Sequence, residues 1–175
     1  MLFFSIVNSQ SINMKILFLA ASFFLLTSFE QPTPPTALSP ILTAYYQVKD
    51  ALVAGDAAGV ATAAAEMLKQ IDGVDMKSLS TKDQQAFMAL QNKLAFDARH
   101  MSESKAISHQ REHFTSLSAN LFTLAKQVRL SQQPIYEDYC PMKKAYWLSG
   151  DAAIKNPYFG SSMLTCGKVS TTINP

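Results

Sequence analysis

Between Pro40 and Leu130, apolar residues recur at spacings of three and four, which is the period of a helix with one buried face. The first run, Pro40 to Ala54, puts Ile41, Tyr45, Val48 and Leu52 on one side. Ser39-Pro40 starts it well, because proline at the first helical position loses no needed N–H. Gly55-Asp56 then stops this helix and caps the next. The second run, Ala57 to Ile71, has the stripe Ala57, Val60, Ala64, Met67 and Ile71, whose small residues let a neighbour approach closely. Asp72 to Ser80 reads as a loop. Thr81-Lys-Asp-Gln84 is a capping-box signature, and the helix it opens runs to about Met101, carrying Phe87, Leu90, Leu94, Ala98 and Met101. After a break at Ser102-Glu-Ser104, a fourth run from Lys105 to Leu130 keeps Ile107, Phe114, Leu117, Leu121, Leu124 and Val128 in an a/d-like repeat. Polar Gln110 fills the one place where that repeat wants an apolar residue. Short connections imply antiparallel neighbours, hence an up-down four-helix bundle.

From Ser131 the pattern changes. Pro134 forbids a continuous helix, and aromatic and β-branched residues come in short runs bounded by Gly, Pro and Asp. Ile135 to Tyr139, Tyr146 to Leu148 and Lys168 to Thr172 are candidate strands. Ala152 to Lys155 reads as one helical turn, and Asn156-Pro157 favours a turn of chain. The expected fold is mainly α: an antiparallel four-helix bundle over 40–130, with a small irregular C-terminal β/loop cap over 131–175 packed on it.

The first 28 residues read as a signal peptide. Met14-Lys15 supplies a short positive start, Ile16 to Leu26 an apolar core too short to span a bilayer stably, and Leu26-Thr27-Ser28 a small-residue cleavage site. Met14 reads as the true start. Residues 29–39, rich in proline, read as a linker. The expected address is periplasmic or secreted, without a membrane anchor after cleavage. The formal net charge is +2, and no run of like charge exceeds Lys143-Lys144, so nucleic-acid binding has no electrostatic footprint.

Candidate chemistry concentrates between Tyr136 and Val169. This stretch holds both cysteines, the only tryptophan, and two soft-sulfur pairs, Cys140-Pro-Met142 and Met163-Leu-Thr-Cys166. In an oxidising compartment two cysteines most often pair, and a Cys140–Cys166 disulfide would stabilise by about 3 kcal/mol in the chain-entropy model. Two thiols and two thioethers also suit Cu(I) or Ag(I), with His113 able to complete the set. Both readings stay open. A zinc site is less expected, because no C-x-x-C pair exists.

His109, Glu112 and His113 satisfy an H-x-x-E-H peptidase pattern, but Glu137 is the sole glutamate left downstream to act as third ligand, so the match is rejected. His109 then reads as an exposed helix residue, and His100 as a helix-terminal residue favoured by the macrodipole. No nucleophile motif or phosphate loop is present, and the chain does not read as an enzyme. Trp147, Tyr158 and Phe159 read as apolar glue between cap and bundle, or as a partner-binding patch.

Several of these motifs, in order, resemble the bacterial domain-of-unknown-function family 3347. They are Gln110-Arg111-Glu112-His113-Phe114 with Leu117-Ser118, then Cys140-Pro141-Met142, Trp147-Leu148-Ser149, Asn156-Pro157-Tyr158-Phe159-Gly160 and Met163-Leu164-Thr165-Cys166-Gly167. The likeness runs from about Ala44 to Ile173. One departure is visible: the segment between Met142 and Ala145 is only Lys143-Lys144, without the customary glycine. Members occur as small exported proteins and as C-terminal extensions of copper and silver efflux adaptors. The resemblance therefore implies soft-metal binding for sequestration or efflux handover, with a heavy-metal efflux adaptor or another envelope protein as partner. The contrasting expectation is a disulfide-stapled structural or interaction module without metal.

Overall fold

The computed structural model describes residues 36–175. The expected signal peptide, the start at Met14 and most of the expected linker lie outside the described residues. Four helices come first: α1 (Ser39–Ala54), α2 (Ala57–Asp72), α3 (Thr81–Glu103) and α4 (Ile107–Ala125). Three strands follow: β1 (Ile135–Cys140), β2 (Ala145–Ser149) and β3 (Lys168–Ile173). The fold is mainly α with a small C-terminal β cap, as the periodicity predicts.

Each helix packs on the next in sequence, and the predicted stripes are the buried ones. Gly55 takes φ of 73°, the left-handed conformation that ends α1, and its N–H donates to Leu52 O at 3.2 Å. The Asp56 carboxylate then accepts the Gly59 N–H at 2.9 Å to open α2.

Four expectations shift. The cap of α3 is Ser80, one residue earlier than the Thr81-to-Gln84 box. Its hydroxyl accepts the Asp83 N–H at 3.2 Å and donates to the Asp83 carboxylate at 2.8 Å. Gln84 instead donates to Met76 O and Leu79 O, which closes the preceding loop. The fourth helix ends at Ala125, not Leu130. Both Val128 and Leu130 are buried, and residues two apart on a helix point to opposite sides, so a helix could not bury both. No helical turn forms at Ala152–Lys155; the short 3-10 turn of the cap falls at Gly160–Met163 instead, where Gly160 takes φ of 55°. Lastly, the end of the expected linker is fixed. Leu38 is buried in the core, and the Thr36 hydroxyl donates to Arg129 O at 2.9 Å.

The sheet is antiparallel, in the order β2-β1-β3. A bulge between Glu137 and Asp138 interrupts the β1–β3 register. It breaks the period-two alternation, which is why these two consecutive side chains are both buried.

Bundle and cap are tied at two polar points, and a third holds the bundle's own helix ends together. Tyr45 of α1 stacks on Phe114 of α4, with centroids 5.1 Å apart. Its hydroxyl lies 2.7 Å from Ser118 Oγ and accepts the Leu148 N–H of β2 at 2.9 Å. Arg111 of α4 donates to Pro157 O at 2.9 Å and to Leu52 O at 3.2 Å, joining the cap loop to the end of α1. Gln110 is fully buried, with its amide nitrogen 2.8–3.2 Å from the Ala57, Met101 and Ser104 carbonyls. It satisfies helix-end acceptors where α2, α3 and α4 meet, which accounts for a polar residue in the apolar stripe.

Removing the Tyr45 hydroxyl orphans the buried Leu148 N–H, while Ser118 loses one partner and keeps its bond to Phe114 O. Tyr45→Phe is expected to lower unfolding free energy by about 1–3 kcal/mol. Leu117→Ala, at a fully buried position, should lower it by about 2–5 kcal/mol. Denaturant titration of the folded chain checks both, and a change under about 0.5 kcal/mol, typical of surface sites, would contradict either burial.

Candidate functional site

The cap is organised around Asn156, which is fully buried. Its side-chain amide donates to Cys140 Sγ at 3.2 Å and to Cys166 O at 2.6 Å. Its side-chain carbonyl accepts the Tyr158 N–H at 2.9 Å, and its backbone N–H donates to Leu164 O at 2.8 Å. One residue thus holds the end of β1, the approach to β3 and the loop between them. Gly167 follows with φ of 155°; a Cβ there would come within 2.8 Å of the Trp147 ring, so only glycine lets the chain pass.

The structure brings Cys140 and Cys166 together, with both thiols free. Cys140 is buried and its sulfur also accepts the Lys143 N–H at 3.4 Å; Cys166 is half-buried. Desolvation, and then the Cys140 thiol beside it, push the Cys166 thiol above its ordinary pKa. Met142 is 63% exposed and Met163 40%, so neither is core filler. β1 ends at Cys140, so Cys140 and Met142 do not share one face of a strand. The chain turns there, with the Lys144 N–H donating to Cys140 O at 2.8 Å. The Met163–Cys166 pair sits on a turn, closed by the Cys166 N–H on Met163 O at 3.1 Å.

His113 does not join this sulfur set. Arg111 and Thr115 lie on the face of α4 that meets the cap, whereas the His113 Nδ1 lies 2.9 Å from Asp97 Oδ1 of α3. The partner-patch reading of Trp147, Tyr158 and Phe159 is also corrected. Trp147 and Tyr158 are buried and meet edge to face at 6.1 Å, and Phe159 is half-buried against the core. These aromatics are the glue between cap and bundle.

On the α3 side of α4 the three histidines of the chain converge. The ring centroid of His113 is 4.7 Å from that of His100 and 4.7 Å from that of His109. One ligating atom from each lies within 4.8 Å of the others. Asp97 is buried and also accepts the Ser116 hydroxyl at 2.7 Å, so it is fixed against His113. The Phe96 ring covers His100 at 4.3 Å.

A family model described as "Protein of unknown function (DUF3347)" matches residues 41–133, more than half of the chain. The chain belongs to this family. No curated protein and no solved structure matches it. Within this DUF3347 chain the match covers the four helices except the first two residues of α1, includes the three histidines, and ends before either cysteine. Among the described residues, no helix is long and apolar enough to cross a membrane.

Three features of the site escape the sequence reading. Asn156 reads there only as a turn former. His109 and His113 are weighed together only as a peptidase pattern and His100 apart from them, although a hairpin centred near Lys105 returns His100 to the other two. The third is Asp138 of β1, fully buried, whose carboxylate oxygens have no hydrogen-bond partner among the described residues. Burial pushes its pKa up to about 7; Lys49 opposes the shift and Glu137 adds to it.

Folded Asp138 holds its proton up to about pH 7, whereas the unfolded chain releases it near pH ~3.9. Between those values the folded state binds more protons, so stability falls as pH rises across the window. Asp138→Asn should flatten that slope, measured as thermal midpoint from pH 4 to 8; an unchanged slope would place the ionisation elsewhere. Lys144 takes φ of 55°, in the turn that lacks the family's customary glycine. Left-handed backbone costs a non-glycine residue roughly 1–2 kcal/mol, partly offset by glycine's greater unfolded-state freedom. Lys144→Gly should therefore raise stability by up to about 1 kcal/mol by denaturant titration.

Proposed function

We propose that this chain is an exported protein that binds a soft monovalent ion, Cu(I) or Ag(I), at its cap, and that it binds the ion rather than acting as an enzyme. The observation that carries the reading is the pair of adjacent free thiols, Cys140 and Cys166, with one buried amide donating to the Cys140 sulfur and to the Cys166 backbone carbonyl. Thiolate and thioether ligands select soft ions. Exposed Met142 and Met163 flank the thiols in sequence and supply thioethers at the surface, where an ion arrives and leaves. A raised Cys166 pKa means that binding must displace a proton, so affinity rises with pH. Sequestration, or handover to a heavy-metal efflux adaptor, is the role such a site suits in the cell envelope.

A second reading rests on the same adjacency. Two neighbouring thiols in an oxidising compartment can close a disulfide that staples β1 to the approach of β3 and makes the cap a structural or interaction module.

Intact mass of natively prepared protein, with and without thiol alkylation, separates the two. Two free thiols and about one equivalent of Cu(I) bound by the reduced chain are expected. Cys166→Ser should abolish that binding, and Met142→Ala and Met163→Ala should each weaken it with little loss of stability. Quantitative loss of two hydrogens in the native protein would favour the disulfide module. Cu(I) binding undisturbed in Cys166→Ser would overturn the cap as the metal site.

A further inference from the structure

We infer that His100, His109 and His113 form a second metal centre, for a borderline divalent ion of the zinc(II) or copper(II) kind. It is separate from the thiol pair and lies across α4 from it. Imidazole nitrogen suits these ions, whereas thiols and thioethers suit Cu(I) and Ag(I).

Three observations converge on it. The first is placement. His109 and His113 stand one turn apart on α4, and His100 reaches them from the C-terminal end of α3, so that two rigid, mutually packed helices present all three rings. The three ligating atoms lie within 4.8 Å of one another. Nitrogens bound at 2.0–2.1 Å in tetrahedral geometry are about 3.4 Å apart, so closure needs movements of about 1 Å, within the reach of side-chain torsions.

The second is the support behind the ligands. Buried Asp97 holds the Nδ1 side of His113 at 2.9 Å and is itself fixed by Ser116 at 2.7 Å. That bond orients the ring and leaves Nε2 as the free, ligating nitrogen, the carboxylate–histidine–metal arrangement by which proteins aim imidazole at an ion. A structural Asp97–His113 bond would need neither of the other two histidines. Nor does any hydrogen bond among the described residues account for where the His100 ring lies; it is held between Phe96 and His113.

The third is chemical composition and access. The candidate ligands are imidazole nitrogens, with Asp97 occupied behind His113. Glu112 stands at 3.7 Å from the Nδ1 of His109, on the solvent side. Three imidazoles leave a fourth coordination position, and the half-exposed site lets water or a small anion take it.

Zinc titration of the metal-free chain against a competing chromophoric chelator tests this. The Cys166→Ser variant should bind about one equivalent of zinc with the affinity of the wild type. His109→Ala, at an exposed position that leaves the core untouched, should lower zinc affinity at least about tenfold, and so should His100→Ala. Asp97→Asn, nearly isosteric, should weaken it by about 10–100-fold by mis-setting the His113 ring. Cu(II) in the same site should show nitrogen hyperfine structure in electron paramagnetic resonance, lost in the His100→Ala/His109→Ala double variant. Circular dichroism matching wild type confirms that each variant is folded. The inference is overturned if the wild-type chain fails to bind zinc, if the double variant binds it unchanged, or if Cys166→Ser removes zinc binding. Cu(I) binding at the thiols is scored separately, so either site can fail without the other.

Discussion

The Tyr45 hydroxyl is the point on which bundle and cap depend together. Four helices with buried stripes make a core by themselves, but β2 lies at an edge of its sheet, and its Leu148 N–H is satisfied by a side chain from α1, 103 residues away in sequence. The same oxygen meets Ser118, whose hydroxyl also donates to Phe114 O, so α1, α4 and β2 are fixed by one buried relay. Burial, and then the nearby Tyr158, hold Tyr45 well above its ordinary pKa, so the phenol stays neutral and keeps its donor and acceptor roles throughout the physiological range. Buried polar groups of this kind strongly favour one arrangement, because any other leaves them unpaired.

With the relay in place, α4 separates two chemically different surfaces. Arg111 and Thr115 hold the cap, and with it the thiols; His109, His113 and Ser116 face α3. Helical geometry makes this unavoidable, since residues two apart point to nearly opposite sides. A single helix thus has the two thiols behind one face and the three imidazoles on the other, so the two donor sets lie apart.

How far the chain was legible follows from the range over which each signal acts. The helix stripes were readable because period and core face are one local fact; Ile41, Tyr45, Val48 and Leu52 are all buried as spaced. Strand positions were readable to within a residue or so because Gly, Pro and Asp bound them. Where two local signals overlapped, as with Ser80 and Thr81 at the start of α3, sequence alone did not rank them. The end of α4 was set by Leu130 reaching the core out of helical phase, which is a tertiary demand. The cysteines drew attention as rare residues, and the fold gathered them. Asn156 did not, because its partners, Cys140 and Cys166, stand 16 and 10 residues away. The histidine cluster needed the α3–α4 hairpin to exist before His100 and His109 became neighbours.

β3 completes the picture from the other end of the sheet. Lys168 to Thr172 are all exposed, Ile173 is half-buried, and β3 pairs on one side only, with β1. Few buried apolar contacts and a one-sided hydrogen-bond ladder are the marks of a segment that opens locally long before the domain unfolds, so its amides should exchange with solvent ahead of the helices. Cys166 stands two residues before this strand and Cys140 ends the strand it pairs with. The buried thiol is then reached at the frequency of a local opening, set by a few residues at the rim, while the fourfold helical core stays closed.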